Sequence, residues 1–232
     1  MSPDDRVKDL MAAFQKTAYF KWIARQGIPV IDGYGVEDVR EVEMDFWPRL
    51  GGRAAFINLY GMEGVTGIYV AEIPAGGALA PEKHFYEEVI CVQSGQGATE
   101  VWQEGGRKQM FEGGPWSLFA PPLNTWHRLI NGGRQPVKFL AVTNAPLVMD
   151  VFHNEDFVFN TPRDFSDRFD GDPEYFSGKG KAYPGRVWDT NFIADARSFA
   201  LEDWVERGGG GKNVMLELAN GSMAAHISEF PV

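Results

Sequence analysis

Cysteine is nearly absent from this 232-residue chain: Cys91 is the only one, so no internal disulfide can form and a disulfide-built secreted scaffold is excluded. Cys91 lies in the apolar run Val89, Ile90, Cys91, Val92 and is read as a buried, inert thiol. Positive charge is short as well. Against 32 Asp and Glu stand 22 Lys and Arg, a net charge of −10, and such a surface repels phosphate backbones and anionic lipid, which argues against nucleic acid or membrane as a partner. No apolar run approaches the ~20 residues that a membrane-spanning helix needs. The charged opening from Met1 to Arg6 lacks the apolar stretch of a secretion signal. A cytoplasmic location is the expectation. Histidine is scarce too, at four residues, and that scarcity gives weight to where each one falls.

Aromatic residues, by contrast, are plentiful. The 17 Phe, 7 Trp and 7 Tyr exceed what one small core uses and leave side chains for a pocket or an interface. Residues 4–25 carry Val7, Leu10, Met11 and Phe14 at helical spacing after Ser2 or Asp4 as cap, and the step Gly27-Ile28-Pro29 ends the pattern. This amphipathic arm is expected to pack on the rest of the fold or on a partner subunit. Together with the aromatic content it points to a homo-oligomer.

From about residue 58 to 140 the pattern changes to short β-rich runs, at 66–73, 88–93, 98–102, 116–119 and 137–142, broken by Gly-, Pro- and Asn-rich turns. Runs about ten residues apart with turn signals between them predict an all-β sandwich or small barrel. Residues 146–190 mix Asp, Asn, Pro, Gly and Phe without a clear period, and read as an ordered connector lying across the barrel surface. The organisation expected is an N-terminal helical arm at 1–35, a barrel at 36–145, the connector at 146–190 and a further unit at 191–232.

That last unit is visible as a repeat. Residues 38–74 reappear without gaps at 195–231, with an offset of 204 − 47 = 157 between Trp47 and Trp204. The identical pairs are Asp38/Asp195, Arg40/Arg197, Trp47/Trp204, Gly51/Gly208, Gly52/Gly209, Leu59/Leu216, Gly64/Gly221, Glu72/Glu229 and Pro74/Pro231. A period of this length fits a duplicated domain rather than a solenoid. Residues 191–232 are therefore expected to be the opening strands of a second barrel. Lone strands would expose unpaired edges, which favours a chain that is a piece of a longer two-barrel protein.

Two segments carry the chemistry. The first runs from Gly77 through Pro81, Glu82, Lys83, His84, Phe85, Tyr86, Glu87 and Glu88 to Gly95, and the second from Pro121 and Pro122 through Asn124 and His127 to Asn131. Residues two apart on a strand face one side, so Glu82 and His84 can both point inward, with Glu88 arriving on the next strand and His127 on another. Two imidazoles and a carboxylate suit a divalent first-row metal, and that set with open positions is the non-haem iron arrangement. Fe and Mn are favoured, with Zn, Ni and Cu as further fits. Glu82 is read as a fourth ligand or as a base beside a three-ligand metal, and Tyr86 as a second group that moves protons. Lys83 and Glu87 alternate away from the ligands and are expected to be solvated. His153 and His226 lack such context and are read as structural or surface residues. Tyr86, Trp102, Phe119 and Trp126 are read as core before pocket.

The two segments resemble the signature motifs of the cupin superfamily. His84, Glu88 and Gly95 match the first and Pro122, His127 and Asn131 the second, with Asn124 where the motif has glycine and Glu82 where it has its first histidine. The resemblance implies a cupin-type small β-barrel, a jelly roll, here in a bicupin plan. It implies one divalent transition metal and a small-molecule substrate, and cupins resembling ureidoglycine aminohydrolase use a glutamate at the Glu82 position as ligand. Among bicupins, the connector's composition is closest to that of the aromatic-ring dioxygenases. The expected function is a metal-dependent dioxygenase acting on a small hydroxylated or carboxylated aromatic. A non-redox hydrolase, lyase or isomerase and a non-catalytic small-molecule binder are the alternatives.

Overall fold

The structure, a computed structural model, describes residues 5–8, 12, 17–205 and 210–231. Residues 5–8 are helical, and Leu10, Met11 and Phe14 of the expected arm lie outside the described residues. Helix α1 (Ala18–Ala24) begins at Thr17, whose hydroxyl accepts from the Phe20 amide as an N-cap. Its Tyr19, Phe20, Trp22 and Ile23 are buried. This helix packs on its own barrel.

Strands β1 (Val30–Gly33), β2 (Asp45–Trp47), β3 (Gly52–Leu59), β4 (Gly67–Ile73), β5 (Glu88–Ser94), β6 (Gly97–Trp102), β7 (Gln109–Gly113), β8 (Leu118–Phe119), β9 (Trp126–Ile130) and β10 (Val137–Thr143) build the barrel. One sheet runs β1-β3-β4-β10-β5-β8, with β2 on β3, and a second runs β7-β6-β9. Facing across the interior, they form the small barrel that the turn spacing predicts, a jelly roll as the motif resemblance implies. Phe139, Ile73, Ile90 and Phe119 are almost fully buried between them. β4 is buried on both faces: Tyr69, Ala71 and Ile73 join the barrel core, while Ile68 and Val70 lie under Met44, Val36, Val39 and Val42. That double burial explains why β4 reads as a continuous apolar run rather than an alternation.

Helices α2 (Ala145–Phe152) and α3 (Glu155–Asn160) occupy the start of the connector. They are too short for a periodic signal. Phe169 and Phe176 then pack on Val101 and Phe111 of the smaller sheet. Strands β11 (Lys181–Tyr183), β12 (Val187–Asp189), β14 (Glu202–Asp203), β15 (Lys212–Glu217) and β16 (Ala224–Glu229) form a separate sheet, whereas β13 (Phe192–Ile193) adds to β8 of the barrel.

This last sheet repeats the opening of the barrel. β1 lies parallel to β3 as β12 does to β15, and β2 and β4 flank β3 as β14 and β16 flank β15. A 3-10 turn capped by Asp38 recurs with Asp195 as cap. The register is not ungapped. Ala54 faces Ala71, but Asn213 faces Ser228, so β15 is offset from β3 by 213 − 54 = 159 while β16 keeps 228 − 71 = 157. Gly51 corresponds to Gly210, both at φ +69, and Leu59 to Leu218. Gly208 and Gly209 lie outside the described residues. Among the described residues, no helix is long and apolar enough to cross a membrane.

Candidate metal centre

Three elements bring three side chains to one point inside the barrel. Glu88 opens β5 and His127 sits in β9, while His84 lies in the loop that follows a two-residue bridge. In that bridge the Glu82 amide donates to the His127 carbonyl (3.0 Å) and the His127 amide to the Glu82 carbonyl (2.9 Å). Directly opposed residues of an antiparallel pair share a face, so Glu82 and His127 both point inward.

Ligand atoms of His84, Glu88 and His127 lie within 4.8 Å of one another, and all three residues are buried. Each Nε2 is 3.5 Å from Glu88 Oε2. These three atoms have no hydrogen-bond partner, although an unpaired buried polar atom is costly and rare. Every other polar atom of the three side chains is engaged. His84 Nδ1 donates to the Tyr86 carbonyl (2.8 Å) and His127 Nδ1 to the Thr125 carbonyl (3.0 Å), which leaves the Nε2 lone pairs facing inward, as a metal requires. Glu88 Oε1 accepts from the Tyr69 hydroxyl at 2.6 Å. Three orphaned donors converging on one point, with the atoms behind them satisfied, fit a divalent cation.

The electrostatics agree. Burial alone would raise the Glu88 carboxyl, but the His127 and His84 imidazoles outweigh it and hold Glu88 well below the usual carboxylate range. Burial lowers His127 and the neighbouring Glu88 charge overcomes it, so the imidazole ends above its ordinary value. Burial, then the charges of Glu88 and Glu82, push the Tyr69 phenol far up, and it remains a donor. Tyr86 is raised by burial and by Glu82 and Glu88. Its ring stacks on His84 at 3.7 Å, with 6° between the planes.

The structure thus brings together His84, Glu88 and His127, with Tyr86 against them. Glu82 is inside the same wall but outside the three-residue group, its Oε2 3.3 Å from an Arg49 Nη. Two neighbours escape sequence reasoning. Tyr69 looks like any inward aromatic of β4, and Arg49 is a single cation in a turn 33 residues before Glu82 (82 − 49). Neither carries a local signal. His153 and His226 are exposed, and Cys91 is half-buried, its thiol pushed up by that burial.

Lys83 and Glu87 require a correction: neither is solvated. Lys83 is buried, its ammonium 5.3 Å from the centre of the Trp126 ring. The Glu87 carboxylate accepts from Arg168 (2.8 Å), Asn144 (3.2 Å) and the Ser222 amide (2.9 and 3.0 Å). It joins the barrel to the connector and to the β15–β16 turn. Facing away from the ligands places a residue on the outer side of the wall, and here that side is covered.

No family model matches the chain. It is similar to the L-ectoine synthase of Bordetella petrii, 29% identical over 133 residues, which is 57% of this chain and 92% of that protein. Among solved structures it is similar to the oxalate decarboxylase of Lactobacillus farciminis in its formate complex, at 19% identity and a TM-score of 0.40, over 46% of this chain and 32% of that one. It is also similar to the cupin domain of Schizosaccharomyces pombe Cnp3, at 18% identity and a TM-score of 0.37, over 46% of this chain and 71% of that one. The chain therefore spans about a third of the decarboxylase.

Proposed function

We propose that this protein, a cupin by its barrel and by both motifs, is a metal-dependent dioxygenase acting on a small hydroxylated or carboxylated aromatic. The observation that carries the proposal is the donor set: two imidazole Nε2 atoms and one carboxylate oxygen, buried and without partners, on one side of a metal position. Such a set leaves other positions open and is the arrangement of non-haem iron oxygenases. A bound Fe(II) would supply redox chemistry and a template for substrate; Mn is the next candidate.

The chain's own residues then have distinct tasks. His84, Glu88 and His127 hold the cation, and the Tyr86 and Thr125 carbonyls fix the imidazole tautomers. Tyr69 orients Glu88. Tyr86, whose phenol is raised, keeps its proton at neutral pH and acts as a donor rather than a base. Trp22, Trp47 and Phe159 pack at the helix-covered end of the barrel and exclude water there.

Oxygen uptake by Fe(II)-loaded protein, measured with a panel of hydroxylated benzoic acids, tests this reading. Substrate-dependent uptake is the expected result, and no uptake with any of them overturns it. A second reading rests on Glu82, an inward carboxylate beside the ligands and outside their group. It would act as a base in a non-redox lyase, hydrolase or isomerase. Turnover of a substrate under nitrogen with Mn or Zn separates the two. We also read the separate sheet that holds β12, β14, β15 and β16 as the opening of a second barrel.

A further inference from the structure

Arg49 lies in the turn between β2 and β3, and its guanidinium is under-used. An arginine presents five N–H donors in a planar fork. Here one Nη reaches Glu82 Oε2 at 3.3 Å, and the Nε is buried with no hydrogen-bond partner. The flat face of the group rests on the Phe159 ring, 3.7 Å from its centre, so the fork is held in one plane. An ordered guanidinium that spends one Nη on a 3.3 Å contact and stays partly open to solvent matches the two oxygens of a carboxylate.

Its position points to the metal centre. Glu82, its hydrogen-bond partner, opposes His127 across the two-residue bridge. The charge of Arg49 acts on Tyr86, whose ring stacks on His84. The ligand side chains are 4%, 1% and 2% exposed, whereas Arg49 keeps 26% and Glu82 12%. Of these five side chains, Arg49 and Glu82 are the two that solvent reaches most. The chain as a whole carries −10 and repels anions at long range, so an anionic substrate needs a local cation to be held.

We propose that Arg49 is a specificity-determining residue that binds a carboxylate of the substrate through its guanidinium, and that Glu82 competes with that carboxylate for the guanidinium. The proposal rests on the reading that the substrate sits at the His84–Glu88–His127 centre, and it names that substrate as an anionic, carboxylate-bearing small molecule. Phe159, stacked behind the guanidinium, sets the plane in which the carboxylate docks.

Calorimetric titration of the full chain with benzoate, and with benzamide as its neutral counterpart, tests this in both metal-free and Co(II)-loaded protein. Benzoate is expected to bind the metal-free protein, and Arg49→Gln to weaken it by about tenfold or more while leaving benzamide within about threefold. Glu82→Gln, which releases the guanidinium from its competitor, is expected to tighten benzoate by about threefold or more. This second variant keeps the test sharp if Arg49→Gln fails to fold. Equal benzoate affinity in Arg49→Gln and wild type, equal losses for benzoate and benzamide, no benzoate binding to the wild type, or unchanged or weaker binding to Glu82→Gln would each overturn the proposal. Co(II) stoichiometry is read separately by absorption. A wild type that binds no Co(II) brings down the metal reading, while the benzoate result on metal-free protein still decides the role of Arg49.

Discussion

The Tyr69 hydroxyl donates to Glu88 Oε1 at 2.6 Å, tying the middle of β4 to the first residue of β5 inside the barrel. With Oε1 held, Oε2 turns to both histidines at 3.5 Å. Tyr69→Phe removes the bond and keeps the ring, so it is expected to lower divalent-metal affinity by about 10- to 100-fold. The accompanying loss of stability should be only about 1 kcal/mol. Competition against a chromogenic chelator measures the affinity, and an unchanged value would show that Glu88 needs no such support.

Gly95 shows why the first motif ends in glycine. Its φ is +79, and a Cβ there would meet the Pro136 carbonyl oxygen at 2.5 Å and Val137 Cα at 2.9 Å. Backbone strain and the clash act together, and Gly95→Ala is expected to destabilise the fold by about 2 kcal/mol or more. Urea unfolding reads the change. A midpoint equal to wild type would mean that this turn can relax.

Much of the barrel was legible for reasons of this kind. Asn124 stands at φ +55, the left-handed conformation that its place in the motif requires. Asn131 is fully buried and donates to the carbonyls of Ile73, Pro74 and Gln135, a lock that only an amide of that length supplies. Motif spacing locates such residues because the backbone geometry is local. What escaped notice is non-local or degenerate. Tyr69 and Arg49 meet the ligands only after the sheets close. The two-residue slip of β15 is hidden because Gly51-Gly52 aligns equally well with either half of the run 208–211, and Leu59 with Leu216 or Leu218. The outer side of the ligand loop reads as solvent because nothing local records the 135 residues between Glu87 and Ser222.

Glu87 joins three parts of the chain, and its carboxylate is 12% exposed. Glu87→Ala leaves Arg168, Asn144 and the Ser222 amide without their acceptor, a loss of about 1–3 kcal/mol. The carboxyl is partly desolvated, but hydrogen bonds from Ser222 and Arg168 outweigh that and lower it below its ordinary value. A lowered folded value contributes stability above the unfolded pKa and loses it as pH falls through the folded one. The wild-type advantage over Glu87→Ala should therefore persist at neutral pH and shrink in acid, below about pH 4. Thermal melts of both proteins across that range check it, and a constant difference contradicts the assignment.

His127 gives the opposite sign. Its raised folded value means that, without metal, the group contributes stability below its unfolded pKa of about 6.5 and loses it as pH rises through the folded value. A cation needs the same Nε2 deprotonated, and Glu88, held far below, does not titrate in this window. The gain in melting temperature on adding Co(II) should thus be larger near about pH 8 than near about pH 6. An equal gain at both would place the cation elsewhere.

The most direct test is metal content. Full-length protein loaded with Fe(II) or Co(II) and freed of excess is expected to retain about one equivalent per chain by elemental analysis. His84→Ala, His127→Ala and Glu88→Gln, each with wild-type β-sheet circular dichroism, should fall below about a tenth of that. A wild type that holds no metal, or variants that hold as much as the wild type, would contradict the account.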